Sequence, residues 1–282
     1  MDVDSDLALV VSGVSRRYRD DFRRAPQAAL DAVDLTLGAG EAMMLAGLTG
    51  AGKSTFLRLV AGIERPDEGQ ITVLGKGPRH PSSRRRLAYL PDGAELFPFL
   101  DVRETLAFFA AARGLGRRAA RAESDRLIEV FGMEPWARKR TVSFSTGMRR
   151  RLALASALIG APDFLLLDEP ASGLDPEAAR LFLEVLRQEK ARGATILMAS
   201  HHLAHVEGLC DQIAVLARGR LAFRGAVQEL ARKLGRYEVD LSLPAGAAEG
   251  VIGADLAGST VGEPRLSERA LEDFLIAESR GS

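Results

Sequence analysis

The stretch "AMMLAGLTGAGKST", residues 42–55, decides the fold. Five apolar residues read as a buried strand, a glycine-rich loop follows, and a helix opens at Lys53. The loop fits the spacing G-x-x-x-x-G-K-[ST], a phosphate cradle when a strand precedes it and a helix follows. Gly47, Gly50 and Gly52 let the main chain bring its N–H groups onto an anion. The candidate cradle is therefore the whole run Gly47, Leu48, Thr49, Gly50, Ala51, Gly52, Lys53, Ser54 and Thr55. Lys53 reaches the β- and γ-phosphates and Ser54 ligates Mg²⁺. A glycine-rich turn with a chance Lys-Ser is the bland alternative, and the strand and helix on either side argue against it.

Outward from this stretch, short apolar runs alternate with longer periodic segments. "LAYL" (87–90), "FLLL" (164–167), "TILMA" (195–199) and "IAVL" (213–216) read as further buried strands. Strands buried on both faces and separated by helices predict an α/β fold with a mainly parallel sheet, a phosphate-loop NTPase core. "LALVVSGVSRRY" (7–18) and "GQITVLG" (69–75) are strand-like with turns and suit a small antiparallel β layer. Residues 101–131 carry Leu106, Phe109, Ala110 and then Leu127, Ile128, Phe131 at helical spacing, with a polar, exposed stretch between the two groups. From about residue 225 the chain turns Gly/Ala-rich and weakly patterned. The expected organisation is a nucleotide-hydrolysing domain over 1–223, with a helical subdomain at about 95–158, and a small appendage over 224–282.

Composition excludes several classes. The 282 residues are 46% hydrophobic and 27% charged, ordinary globular material. Thirty-eight Lys and Arg balance 38 Asp and Glu, so no bulk pull towards nucleic acid is expected. One cysteine, Cys210, precludes an internal disulfide. The acidic start "MDVDSDLALV" makes a poor signal peptide, and no apolar run approaches the length of a membrane span.

"FLLLDEP" (164–170) is an apolar strand ending in two carboxylates, placed at the ligand edge of such a sheet. Asp168 would hold Mg²⁺ through water, and Glu169 would act as general base on the attacking water. "VSFSTGMRRRL" (142–152) begins a second anion-friendly helix: Ser145 offers a hydroxyl, Gly147 allows close approach, and the helix dipole points at an anion. Its rival reading is a simple capped helix with a solvated face at Arg149–Arg151.

Taken in order, "GLTGAGKST", "FSTGM", "FLLLDEP", "SGLD" and "SHHL" resemble the ATP-binding subunit of an ABC transporter over residues 7–223. The resemblance implies a site shared between two subunits. "FSTGM" stands where the family has Leu-Ser-Gly-Gly-Gln, so Ser145, Thr146 and Gly147 would cap the γ-phosphate held by the other subunit. Phe144, Thr146 and Met148 depart from the usual residues. Asp175 of "SGLD" would couple the two sites, and His201 would contact the γ-phosphate, with His202 as the competing candidate. Tyr18 would stack on adenine, with Phe22 as its rival in the unusual insertion that follows. After "LAYLP" the family places a metal-sensing Gln where this chain has Asp92, which would reach Mg²⁺ through water or merely shape a turn.

The resemblance further implies ATP and Mg²⁺ as ligands, a homodimer or heterodimer closed by ATP, and a separate multi-span permease as partner. It places the protein on the cytoplasmic side of the inner membrane, peripherally bound. Phe97, Pro98 and Phe99 would face the permease or cap their own subdomain. The Ser-x-Gly-Met form and the tail "LEDFL" resemble exporters of the ABC-2 type. A soluble ABC-type ATPase without a transport role is the alternative.

Overall fold

The computed structural model describes residues 6–18, 27–200, 208–234, 237–238, 241–242, 260–261, 265–266 and 268–280. Two long strands, β1 (Leu7–Tyr18) and β2 (Gln27–Gly38), come first. They are followed by β3 (Ala42–Ala46), α1 (Lys53–Val60), β4 (Glu68–Val73), α2 (Pro81–Arg86) and β5 (Leu87–Leu90). A helical block holds α3 (Val102–Ala112), α4 (Arg117–Val130) and α5 (Thr146–Leu158). The chain then runs through β6 (Phe164–Asp168), α6 (Pro176–Ala191), β7 (Thr195–Ala199), β8 (Gln212–Ala217), β9 (Arg220–Ala226), α7 (Val227–Leu234) and α8 (Glu268–Arg280).

Six strands make the central sheet in the order β5-β6-β7-β3-β8-β9. All neighbours are parallel except β9, which runs antiparallel to β8. Every residue of β3, β6 and β7 is buried. Alternation explains how: Met44, Leu165, Leu167, Ile196 and Met198 enter one core, while Met43, Leu45, Phe164, Leu166 and Leu197 enter the other. The first core is closed by the helical block, α6 and α8. The second is closed by α1 and by an antiparallel sheet of order β2-β1-β4. A strand with apolar neighbours on both faces has no polar side, so it reads as a continuous run rather than an alternating one.

Register sets the ligand edge. Leu45 and Asp168 both lie opposite Ala199, and Leu90 lies opposite Leu167. The C-terminal ends of β3, β5, β6 and β7 therefore finish level, with Asp168 as the last residue of β6 and the glycine-rich loop, Asp92, Glu169 and Ser200 just beyond the strands.

Three features depart from the sequence expectation. The strand β2 went unforeseen, although Val33, Leu35 and Leu37 alternate with Asp34 and Thr36 and are buried. The polar stretch between the two apolar groups is mostly exposed, as expected, but it forms the start of α4, where Ala120 and Ser124 are buried at helical spacing ahead of Leu127 and Ile128. Small residues carry the period there, and the Ser124 hydroxyl donates to Ala120 O at 2.7 Å, so burial leaves no polar atom orphaned. Beyond residue 224, Leu230, Ala231, Ala270, Leu271 and Leu275 join the first core, so α7 and α8 share the hydrophobic interior of the main sheet.

Candidate active site

The loop between β3 and α1 is shaped by its glycines. A Cβ on Gly52 would lie 2.4 Å from Ala29 O of β2, and Gly52 has φ 107°. A Cβ on Gly47 would lie 2.6 Å from Leu216 O of β8. Neighbouring backbone thus crowds both positions, and no larger residue fits without displacing a strand. Tyr18, Leu48, Thr49, Gly50, Gly52, Lys53, Ser54, Thr55, Asp92, Asp168 and Glu169 line one cleft. Gly47 and Ala51 are buried and do not line it. Gln27, Ala28 and Ala29 of β2 complete the wall and were not anticipated, because nothing in "QAAL" marks a binding strand.

Lys53 is 8% exposed and donates to Gly47 O at 2.6 Å. Its Nζ stands 3.8 Å from Glu169 Oε1. Burial lowers the Lys53 ammonium below its ordinary value, while the Glu169 and Asp168 carboxylates oppose that shift. A cation buried at the throat of an N–H-lined loop is matched to a polyanion.

Asp168 is buried, and its Oδ1 has no hydrogen-bond partner. Burial pushes its carboxyl upward; the Ser54 hydroxyl donates to it and opposes the shift, and the Asp92 and Glu169 charges add to it. A buried orphan carboxylate oxygen beside a serine hydroxyl and a second carboxylate suits a hard divalent cation. Among the described residues no group of three or more His, Cys, Asp or Glu could hold a metal by itself. The donor set therefore fits Mg²⁺ completed by phosphate oxygens, as that ion prefers.

Glu169 is held unusually. Its φ is 44°, left-handed for a non-glycine residue. Its N–H donates to Ala199 O at 2.9 Å and its carbonyl accepts from Ser172 N at 3.1 Å. That turn aims the side chain back over the strand ends towards Lys53.

Tyr18 meets the cleft with its hydroxyl already engaged. It donates to Glu64 Oε2 at 2.6 Å and accepts from Arg58 Nη2 at 3.2 Å. The Arg16 guanidinium lies 4.9 Å from the ring centre, over one face. Phe22, its rival, and His201, His202 and His205 lie outside the described residues.

The second anion-friendly turn is elsewhere. Ser145, Thr146, Gly147 and Asp175 are not among the residues lining the cleft. Ser145 caps its own helix α5, accepting from Met148 N at 3.3 Å. A Cβ on Gly147 would meet nothing within 4 Å. Asp175 caps α6, accepting from Ala178 N at 2.8 Å, and lies 3.7 Å from Arg151. The solvated arginine face of the rival reading is broken at Arg150, which is 7% exposed.

Phe97, Phe99, Phe108 and Val142 are exposed on the helical block, Phe99 at 76%. Phe97 and Phe108 pack edge to face at 4.8 Å. No described helix is long and apolar enough to cross a membrane.

Residues 30–172 match the family described as ABC transporter. The chain is 36% identical to the ABC transporter ATP-binding protein NatA of Bacillus subtilis over 225 residues, covering 79% of this chain and 91% of that protein. It is 39% identical to the Nod factor export ATP-binding protein I of Burkholderia pseudomallei over 219 residues, covering 77% and 70%. With the daunorubicin resistance ATP-binding protein DrrA3 of Streptomyces coeruleorubidus it shares 36% identity over 241 residues, covering 85% and 74%. Among solved structures, an ATP-binding subunit of an ABC transporter superposes with a TM-score of 0.72 at 32% identity, covering 81% of this chain and 93% of that one. A dimeric ATP-binding cassette in a post-hydrolysis state with ADP and Pi superposes at 0.71 and 20% identity, covering 77% and 98%, a likeness of fold.

Proposed function

Since the chain belongs to the ABC transporter family as one of its ATP-hydrolysing subunits, we propose that it powers export by a separate multi-span permease. It would work as half of an ATP-closed dimer on the cytoplasmic side of the membrane. The observation that carries the reading is the cleft itself: Lys53 Nζ and Glu169 Oε1 face each other at 3.8 Å beside the orphan oxygen of Asp168. One group there suits a phosphate, one a water proton and one a metal.

In this reading the loop N–H groups and Lys53 bind the β- and γ-phosphates, and Tyr18 stacks on adenine. Ser54 and Asp168 hold Mg²⁺, with Asp92 reaching it through water. When bound, the ion draws negative charge off the phosphates and fixes their orientation. Glu169 accepts a proton from the attacking water as its oxygen bonds to the γ-phosphorus and the bond to ADP breaks. His201 contacts the γ-phosphate, a role that rests on the resemblance. Positioning and charge stabilisation supply most of the acceleration, with little covalent chemistry left for the protein.

The dimer is supported by the absence of the Ser145 turn from the residues that line the cleft. Ser145, Thr146 and Gly147 form an exposed helix start outside their own chain's site, suited to cap a phosphate on another chain. Asp175, at the start of the next helix, would relay between the two sites. The exposed aromatics Phe97, Phe99 and Phe108 offer apolar area to the permease. Export, rather than uptake, follows the relatives named for Nod factor export and daunorubicin resistance.

The test is Glu169→Gln. It should bind ATP and lose turnover by about 10²–10⁴-fold. Light scattering should find the variant dimeric at saturating Mg-ATP and monomeric without it. Near wild-type turnover reassigns the base. A monomer under both conditions, with and without the co-expressed permease, removes the shared site.

A further inference from the structure

The buried arginine of α5 belongs to neither the phosphate cradle nor the capping turn. Arg150 Nε donates to Pro170 O at 2.8 Å and its Nη2 to Asp168 O at 3.0 Å and to Glu169 O. Its Nη1 makes a longer contact of 3.4 Å to Pro91 O, the residue before Asp92. All four acceptors are backbone carbonyls, three of them consecutive. Only a planar fork of several N–H donors spans such a set. Glu169 sits in the middle at φ 44°, a conformation that non-glycine residues hold only when their surroundings over-determine it.

The position of Arg150 along α5 matters as much. Ser145 caps this helix, and Arg150 follows five residues later on a rigid element of 13 residues. A displacement of the capping turn is therefore carried by the helix to the carbonyls that frame the base.

We propose that Arg150 is the positioning residue for Glu169. It holds the left-handed turn that aims the carboxylate at the attacking water, and it ties the capping turn of a chain to the base of the same chain. The proposal rests on Glu169 as base and, for its second half, on the Ser145 turn as the cap of a partner's phosphate. In a closed dimer the consequence is reciprocal: the helix that caps one nucleotide steadies the base acting on the other.

A mutant cycle tests the first half. Arg150→Gln should lower kcat by roughly 10–100-fold with the ATP KM within about threefold, because the loop and Lys53 are untouched. In the Glu169→Gln background the same change should do nothing further, since a residue that acts through Glu169 has no effect once the base is gone. Arg150→Lys, which keeps the charge and up to three donors, should recover part of the loss and covers the case in which the glutamine variant misfolds. Multiplicative losses in the double variant, or full activity in Arg150→Gln or Arg150→Lys alone, overturn the proposal. So does normal turnover in Glu169→Gln, but that result also removes the base, and the two failures are told apart. The cycle is read in the same way whether or not the site is shared between two chains.

Mixed chains test the second half. A chain carrying both Arg150→Gln and Lys53→Ala, paired with the native chain, leaves the live cradle with a native Glu169 and should match the Lys53→Ala and native pair. Arg150→Gln paired with Lys53→Ala puts the lesion beside the live cradle and should lose most activity. The reverse pattern overturns action within the chain and moves Arg150's effect to the cap.

Discussion

The loop at 47–55 and the turn at 145–147 both present a helix start and a small residue to an anion, yet their own chain uses them differently. The loop is enclosed. β2 and β8 press on Gly52 and Gly47, and Lys53 is buried against its own carbonyls. The turn is open. Its Ser145 does no more than cap α5, and its Gly147 has empty space where a Cβ would go. Packing therefore explains Gly47 and Gly52, and a φ of 84° explains Gly50, whereas the glycine of the second region has neither reason. A glycine that the fold does not require points to something that approaches from outside.

The comparison breaks most sharply at its glycines. Gly52→Ala forces a Cβ onto a backbone carbonyl at a positive φ, and it should destabilise the protein by about 2–4 kcal/mol. Calorimetry should read that as a fall in Tm on the order of 5–10 °C. Gly147→Ala should leave Tm unchanged or slightly higher, because alanine favours a helical position by up to about 1 kcal/mol. Its hydrolysis should nevertheless fall by roughly tenfold if a second chain's phosphate must approach there. Equal melting shifts in the two variants would erase the distinction between an enclosed and an open site.

Asp92 sharpens the description of the enclosed region. Asp92→Ala should raise the Mg²⁺ concentration that half-saturates hydrolysis, with ATP binding little changed because Lys53 and the loop remain. Asp92→Gln should recover most of the activity, since the longer amide reaches the ion directly. Superimposable Mg²⁺ titrations of the three proteins would reduce Asp92 to a turn residue.

The smallest expected effect lies at the rim, where Glu64 anchors Tyr18. Burial pushes the Glu64 carboxyl up, but the Tyr18 and Arg58 hydrogen bonds and the Arg58 and Arg16 charges outweigh it and hold it below its ordinary 4.5. A carboxyl held low stabilises the fold above its unfolded pKa, and that contribution fades as pH falls through the folded value. Melting temperatures of the native chain and Glu64→Gln should therefore differ near neutrality and converge in acid. A constant difference across pH would locate the effect in packing.

The cleft residues of the glycine-rich loop and of the end of β6 were legible because each announces itself locally, whereas Tyr18 and Asp92 came from the resemblance alone. The spacing from Gly47 to Ser54 admits one loop geometry between a strand and a helix, and an apolar run that ends in Asp168 and Glu169 has one place in a parallel sheet. Short apolar runs marked β3, β5, β6, β7 and β8 for the same reason, since burial on both faces leaves no polar residue to interrupt them. The second half of α4 was legible from Leu127 and Ile128, but the buried face of its first half was not, because Ala120 and Ser124 are small rather than apolar.

Tertiary structure alone decided the rest. That β2 walls the cleft depends on Ala29 O reaching Gly52, a contact 23 residues away along the chain that neither residue type encodes. That α8 belongs to the main core depends on Leu271 and Leu275 meeting a sheet whose last parallel strand ended about 50 residues earlier. Arg150 entered only the rival reading, as one of three solvated arginines, because charge patterning along a helix does not disclose which side chain faces inward. Its place was decided by three successive carbonyls at the end of β6, which a turn held at φ 44° exposes and a guanidinium satisfies. Side-chain chemistry is written in the sequence one residue at a time, whereas a row of backbone carbonyls facing one side chain arises only when the chain has folded around it.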